Sequence, residues 1–314
     1  KIQHFSNNVV LPLTLKNFID LESVPLAIIY RRGGWSRLCQ IAGKFDDFVE
    51  PDEKRIIDAI RYKWLSTRST SYFEFVLKLA KANFDCDFKS FSKSEELMLF
   101  MVHCDIWPNS VGFSTIEESI RTIGRNPVLV REIIELLEIL IDQIDFNEIS
   151  LDLPYEQPLK VHARYTREQI LAGLGFSTFL KRSSNREGVA ENKSTNTECL
   201  FINLVKSEED FSPTTMYDDY AINEYLFHWQ SQNAAGPETP KGRSYIHHFS
   251  NKKIILLFVR ERARDQYGNT MGYVFIGKAN FEDTYGSKPM SIRWRLEEPL
   301  PHYLWKDAAK LIAG

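Results

Sequence analysis

The 314-residue sequence predicts an α+β protein, in which an all-α N-terminal domain precedes a curved sheet or open β-barrel with flanking helices. Three observations indicate this class. Apolar residues recur at helical spacing through the first half, a proline-containing segment interrupts the pattern near residue 150, and short β-branched and aromatic runs fill the second half. Apolar residues make up 43% of the chain and charged residues 26%, which is typical of a globular protein with a buried core.

Helix boundaries in the first half follow from capping residues. Pro51 and the acids after it are typical of a first helical turn. Ser94 is the expected N-cap of a later helix, Ser114 begins an expected capping box, and Gly124 is expected to end that helix. Helical spacing recurs over residues 69–84, 92–107, 114–124 and 126–144. We therefore predict a helical coupling domain over residues 1–146.

Residues 147–162 hold two prolines without helical periodicity, and we predict that they form a linker. The second domain, residues 163–314, is expected to open with a helix whose capping box is formed by Thr166 and Gln169. Strands are predicted over residues 199–207, 253–262, 273–281 and 290–296, and a helix is predicted at the C-terminal end. The second and third of these strands are expected to form a hairpin with a long loop.

Composition limits the compartment and the class of partner. No apolar run approaches the roughly 20 residues that a membrane span requires, and the start of the chain does not resemble a signal peptide. The first residue is Lys1 rather than Met, so we expect a segment of a longer protein. The four cysteines are far apart, which fits a reducing compartment, and we predict a cytoplasmic protein.

Net charge is −5 over residues 1–160 (19 Lys and Arg, 24 Asp and Glu) and +2 over the remainder (20 and 18), so charge alone does not indicate nucleic-acid binding.

No catalytic or metal-binding motif stands out. The seven histidines form neither H-x-x-x-H nor H-E-x-x-H, and the sequence contains no C-x-x-C pair and no G-x-S-x-G motif. We therefore expect no catalytic residues, no metal and no cofactor in this chain. Two alternatives stay open. The chain could be an enzyme that uses Asp218, Asp219 and His247, or its helical half could be a protein-docking module.

The stretch from Thr214 to Asn233 is both aromatic and polar. Aromatic walls with a few polar groups suit a flat polar ligand such as an extruded nucleobase. Tyr217 and Trp229 are twelve residues apart, with carboxylates and an amide near them in the sequence. The alternative is that Trp229 packs in the core, as aromatic residues in sheets commonly do.

Hydroxyl side chains in this stretch, and basic side chains after it and beside the last predicted strand, could contact DNA phosphates, which supply much of the affinity for DNA. The predicted backbone contacts are Thr214, Thr215, Lys241, Arg243, Lys288 and Arg293.

The segments "KSEEDFSPTTMYDDYAINEYLFHWQSQN", "PKGRSYIHH", "ILLFVRERARDQYGNTMGYVFIGKANF" and "GSKPMSIRWRLEEPLP" resemble the C-terminal region of SauUSI-like type IV restriction endonucleases. The resemblance covers about residues 163–305. It implies a parent chain with nuclease and helicase domains, and a C-terminal specificity domain similar to SRA (SET- and RING-associated) domains. Such domains bind 5-methylcytosine in duplex DNA by flipping the base between two rings.

Tyr217 and Trp229 keep the twelve-residue spacing of the two rings in SRA domains. The sequence departs from that pattern in two ways, because the second ring is Trp rather than Tyr and because Tyr220 stands where an acid is expected. The carboxylate that would read the cytosine amino group is therefore Asp218 or Asp219, and of the two we favour Asp219. The base-binding residues that the resemblance implies are Tyr217, Asp218, Asp219, Tyr220, Trp229, Gln230 and Ser231.

Overall fold

A computed structural model of the chain describes residues 1–109, 111–205 and 219–305. The chain divides into two compact units. The first comprises residues 1–146, 156–158 and 165–183, and the second comprises residues 147–155, 159–164 and the chain from Ser184 onward. The expected linker is thus shared between the units, and residues 165–183 lie in the helical unit.

The first unit is all-α, and helices and a sheet together make the protein α+β, as predicted from the sequence. Its helices are α1 (Ile2–Asn8), α2 (Leu15–Glu22), α3 (Leu26–Arg31), α4 (Trp35–Ile41), α5 (Glu53–Tyr62), α6 (Thr70–Lys81), α7 (Lys93–Ile106), α8 (Ile116–Ile123), α9 (Pro127–Asp142) and α10 (Arg167–Gly173). The apolar stripes of these helices face one another and form the core of the unit.

Two helix starts differ from the prediction by one or two residues. The N-cap of α7 is Ser92 rather than Ser94, because Ser92 has Glu95 at the third helical position and the two exchange both capping hydrogen bonds. Likewise α8 is capped by Thr115, whose side chain accepts from the Glu118 amide, and not by Ser114. The predicted capping box at Thr166 is confirmed.

A buried carboxylate ties α10 to the rest of the helical unit. Asp105, on α7, accepts three side-chain hydrogen bonds on Oδ2, while its Oδ1 has no hydrogen-bond partner within the part of the chain that the structure describes. The three donors are Trp64 Nε1 at 2.9 Å, Tyr72 Oη at 2.7 Å and Gln169 Nε2 at 2.9 Å. This network is a physical reason for residues 165–183 to lie with the helices.

Asp105 and His103, two residues apart on α7, are expected to impose opposite pH dependences on stability. Burial raises the pKa of Asp105 to about 6, and burial followed by the nearby Arg182 lowers the pKa of His103 to about 4. The Asp105 contribution is fully present below its unfolded pKa near 3.8 and is lost as pH rises through 6. The His103 contribution is present above 6.5 and is lost as pH falls through 4. Each is worth on the order of 3 kcal/mol, so they largely cancel between pH 4 and 6.

Single substitutions should reveal how the free energy of unfolding depends on pH through each residue separately. Asp105→Asn should make the free energy of unfolding fall as pH drops from 6.5 to 4, and His103→Asn should make it rise over the same range. Urea unfolding at half-unit pH steps measures both. Parallel pH profiles for the two variants would contradict the assignment.

The second unit contains a mixed, open sheet, which confirms the predicted sheet architecture. The strands are β1 (Arg164–Tyr165), β2 (Val189–Asn192), β3 (Thr197–Asn203), β4 (Tyr220–Asn223), β5 (Leu226–Gln230), β6 (Ile254–Arg260), β7 (Tyr273–Tyr285) and β8 (Ser291–Leu296), and α11 spans Pro240–Ile246. The order is β2-β3-β6-β7-β8-β5-β4, with β1 on β7. The pair β3/β6 is parallel, whereas the predicted β6/β7 hairpin is antiparallel, as expected.

Candidate nucleic-acid interface

The hairpin of β4 and β5 brings together two parts of the aromatic and polar stretch. Tyr220 lies opposite His228 in the antiparallel register. Asp219, the residue before β4, is buried, and its Oδ1 accepts the Gln230 amide at 2.8 Å. The hairpin therefore places the Asp219 carboxylate beside the end of β5, although the two residues are eleven positions apart.

Trp229 lies in the hydrophobic core of the second unit with only 4% of its surface exposed. Its ring meets Tyr245 edge-on at 5.4 Å between centroids and lies tilted against Trp294 at 6.4 Å. A ring buried to this degree can stack on an extruded base only if neighbouring groups move aside. Trp294 Nε1, in the same ring cluster, is a buried donor that has no hydrogen-bond partner among the described residues.

A second set of rings belongs to the other face of the hairpin, because successive strand residues alternate between faces. The Tyr220 ring stacks on His228 with centroids 4.6 Å apart and planes 15° apart. His228 Nε2 lies 2.9 Å from the hydroxyl of Tyr285, whose side chain is exposed at the end of β7. This face is therefore aromatic and polar at once.

Gln230 is the last residue of β5 and Ser231 begins the loop that follows it, and hydrogen bonds hold both residues to Met290 and Ser291. Gln230 Nε2 donates to Ser291 Oγ at 3.4 Å. Ser231 is fully buried, its amide donates to the Met290 carbonyl at 2.9 Å, and its Oγ accepts from the Met290 amide at 3.0 Å. The Ser231 hydroxyl thus holds two loops together.

The predicted phosphate-contacting cations that the structure describes all have an acidic or carbonyl partner. Lys241 pairs with Glu198 at 2.7 Å, and Arg293 pairs with Asp283. Arg243 donates to the Glu238 carbonyl at 2.7 Å, and Lys288 pairs with the Glu238 carboxylate at 3.2 Å. A phosphate would have to compete with these partners.

Close backbone packing fixes the start of α11, which carries Lys241 and Arg243. Thr239 caps the helix, accepting from the Gly242 amide at 3.0 Å. A Cβ added at Gly242 would lie 1.8 Å from the Gly236 carbonyl oxygen, so only glycine fits there. The two cations therefore project from a fixed backbone.

Four of the predicted contacts, Thr214, Thr215, Tyr217 and Asp218, lie outside the described residues. Asp219 is the first residue described after them. Their roles stay predictions from the sequence.

The histidines considered for catalysis lie around the end of α11. His247 is exposed at its C-cap. His248 is buried, its Nε2 accepts the Phe281 amide at 2.9 Å, and its Nδ1 therefore donates to the Lys253 carbonyl at 3.0 Å. Burial lowers the pKa of His248, which agrees with a neutral imidazole in a structural role.

Across residues 1–109, 111–205 and 219–305, no group of three His, Cys, Asp or Glu side chains is arranged to hold a metal ion. Over the same residues, no helix has the length and apolar character that would let it cross a membrane.

Sequence reasoning missed an ionic cluster that is centred on the buried Glu198 and also includes Glu191, Lys241, Tyr245 and Lys253. Glu198 is 0% exposed on β3, all of whose residues are buried. The available signal was the acid at the head of the apolar run "ECLFINLV", because a charge in a buried strand requires a partner.

Comparisons with known proteins give one family match and a remote structural similarity. Among curated proteins, no match was found. Of the solved structures, the crystal structure of Arabidopsis thaliana SUVH6 in complex with SAM aligns with 80% of this chain, at 12% sequence identity and a TM-score of 0.32. The aligned part spans 41% of that chain. A family model described as a domain of unknown function, DUF3427, matches residues 159–308.

Proposed function

We propose that residues 163–314 recognise duplex DNA that contains 5-methylcytosine or 5-hydroxymethylcytosine, by taking the base out of the helix. The chain would provide target recognition for a modification-dependent restriction endonuclease. Nuclease and helicase domains of the same parent protein would cut and translocate DNA. Under this proposal the chain itself is not catalytic and uses no cofactor.

The observation that carries the proposal is the position of Asp219. The β4–β5 hairpin sets this buried carboxylate beside Gln230 and next to the strand that holds Trp229. A carboxylate accepts hydrogen bonds only, and the cytosine amino group is a donor, so Asp219 suits the edge of that base.

Tyr217 would supply one stacking surface, as the sequence resemblance implies, with Asp218, Tyr220, Gln230 and Ser231 around the base. Trp229 would supply the other ring after local rearrangement, since it is packed among core rings. Phosphates would be contacted by the predicted hydroxyl and basic residues Thr214, Thr215, Lys241, Arg243, Lys288 and Arg293.

The test is binding of the full chain to one duplex with and without 5-methylcytosine. Base–aromatic stacking is worth roughly 1–3 kcal/mol, so Tyr217→Ala should weaken binding to the modified duplex by about ten- to a hundredfold. Asp219→Asn should reduce the preference for cytosine, because an amide can present a donor where an acceptor is needed. Fluorescence anisotropy at fixed salt measures each affinity.

Tyr225→Ala is the control, because Tyr225 is an exposed tyrosine between β4 and β5 that is not among the proposed binding residues. It should leave both affinities unchanged. Equal wild-type affinity for modified and plain duplexes would refute modified-base recognition. A Tyr217→Ala protein that keeps the wild-type preference would remove Tyr217 from the site.

A second candidate function, protein docking by the helical unit, is favoured by a groove of about 580 Å³. Its lining includes Ile2, Phe18, Ile28, Leu38 and Ile41, with Arg32 among its polar residues. Amphipathic helices bind in such grooves. Ile41→Asp, at an exposed position, should weaken binding to a separately produced helicase region and leave DNA binding intact. Unchanged affinity in a titration would exclude this groove.

A further inference from the structure

The buried cluster around Glu198 contains two lysines in unequal positions. Glu198 Oε1 accepts from Tyr245 Oη and from Lys241 Nζ, each at 2.7 Å. Its Oε2 accepts from Lys253 Nζ, also at 2.7 Å. Burial, followed by the Glu198 charge, raises the pKa of Tyr245 well above its usual range, so this phenol keeps its proton and donates.

A second carboxylate, that of Glu191, lies much closer to one lysine than to the other. Glu191 Oε1 lies 2.7 Å from Lys253 Nζ, whereas Glu191 Oε2 lies 3.9 Å from Lys241 Nζ. The Lys253 side chain is 8% exposed and contacts both acids closely. The Lys241 side chain is 33% exposed and contacts only Glu198 closely. Lys253 is therefore the inner cation of the cluster and Lys241 the outer one.

Moving Lys241 away from Glu198 and moving Lys253 away from it should raise the free energy of the cluster by different amounts. If Lys241 leaves, Glu198 keeps the Lys253 ammonium and the Tyr245 hydroxyl, and the surplus negative charge lies on Glu191, which is partly exposed to water. If Lys253 leaves, one lysine must serve a fully buried acid while Glu191 loses its close partner. A buried charge that loses its partner is strongly unfavourable.

Lys241 can move without a change in the backbone. It is the second residue of α11, and Thr239 and the tight contact between Gly242 and Gly236 hold the start of that helix. A lysine side chain has four methylene groups joined by rotatable bonds and carries a compact charge, so it can change partners by rotation of the side chain alone.

We propose that Lys241 is an exchangeable cation, which Glu198 holds in the free protein and which a DNA phosphate takes on binding, while Lys253 keeps Glu198 compensated. This inference rests on the proposed function. It explains how a cation paired with a buried acid can still serve a DNA-binding surface. Lys241 becomes a binding residue and Lys253 a positioning residue.

The experiment compares Lys241→Gln with Lys253→Gln in the full chain. Affinity for a plain 20-base-pair duplex is measured at several salt concentrations, and stability is measured by urea unfolding without DNA. Lys241→Gln should make the slope of log K against log salt shallower by about 0.9, as expected when one phosphate contact is lost, and should leave the unfolding midpoint unchanged. Lys253→Gln should lower the midpoint clearly. Lys241→Arg should restore the slope.

Lys278→Gln is the matched control, since Lys278 is also partly exposed and pairs with an acid, Glu297, at 3.0 Å in the same unit. Lys278→Gln should change neither the salt dependence of DNA binding nor the unfolding midpoint. If Lys241→Gln lowers the midpoint as much as Lys253→Gln does, or if it leaves the salt slope unchanged, the exchange is refuted and DNA binding stands. If the wild-type chain binds no duplex, the proposed function fails and the exchange fails with it.

Discussion

Replacing Trp229 by alanine is expected to lower the free energy of unfolding of the second unit by about 3–5 kcal/mol. Trp229 is 4% exposed and packs against Tyr245 and Trp294, so truncation leaves a large cavity in the core. Loss of DNA binding by this variant would therefore report unfolding as well as stacking. Urea unfolding monitored by circular dichroism measures the stability change.

Trp229→Phe separates packing from base stacking. Phenylalanine keeps an aromatic face and much of the volume, so it should retain most of the stability and, if the ring stacks on a base, most of the preference for modified DNA. Tyr225→Ala, at an exposed aromatic position on the same hairpin, should change stability by no more than about 0.5 kcal/mol. A Trp229→Ala protein as stable as the wild type would show that the core does not depend on this ring.

The second large effect is expected at the buried ion pair between Arg164 and Glu261. Arg164 donates from Nη1 and Nη2 to the two Glu261 oxygens at 2.8 and 2.6 Å, and also to the Gly272 carbonyl at 2.9 Å. Arg164→Ala leaves the carboxylate of Glu261, whose side chain is only 13% exposed, without its partner and should cost about 3–5 kcal/mol. Arg164→Lys should restore only part of this, because an ammonium cannot make the bidentate contact.

A paired substitution and a pH series test the mechanism. Arg164→Met combined with Glu261→Met should be far more stable than Arg164→Ala, since an apolar pair carries no uncompensated charge. Burial alone would raise the pKa of Glu261, but Arg164 holds it below its usual range. The wild-type pair therefore stabilises the fold above the unfolded pKa and loses that contribution as pH falls. The Arg164→Ala deficit should therefore shrink as pH falls below about 4.5, the ordinary pKa of a glutamate, and a deficit that stays constant below that pH would contradict this account.

Helix and strand positions were largely predictable from the sequence because they depend on local patterns. The Thr166 box and the strand beginning near Met290 were both recognisable from spacing within about ten residues. The start of α7 was placed two residues late, since both Ser92 and Ser94 can cap and only the position of Glu95 distinguishes them. The strands β1, β2, β4 and β5 were missed because each has five residues or fewer.

The candidate site was only partly predictable, because residue type does not reveal which face of a strand a side chain occupies. Trp229 and His228 are neighbours in sequence, yet Trp229 packs in the core and His228 stacks on Tyr220. Lys241 was predicted to contact phosphates from its position after the aromatic stretch, and Lys288 from its position beside the last strand. Their acidic partners, Glu198 and Glu238, became visible only in three dimensions.

The sequence by itself determined the α+β class, the helical first half and the spacing that links Tyr217, Asp219 and Trp229, because these depend on periodicity, capping and motif. The tertiary structure alone decided that α10 lies with the helices, that Trp229 is buried, and that Glu198 holds two lysines. These features depend on contacts between residues far apart in the chain. Burial changes the free energy of a charged group or an aromatic ring far more than the residues next to it in sequence do. The contacts made in the folded protein therefore decide which of these residues are structural and which are available for binding.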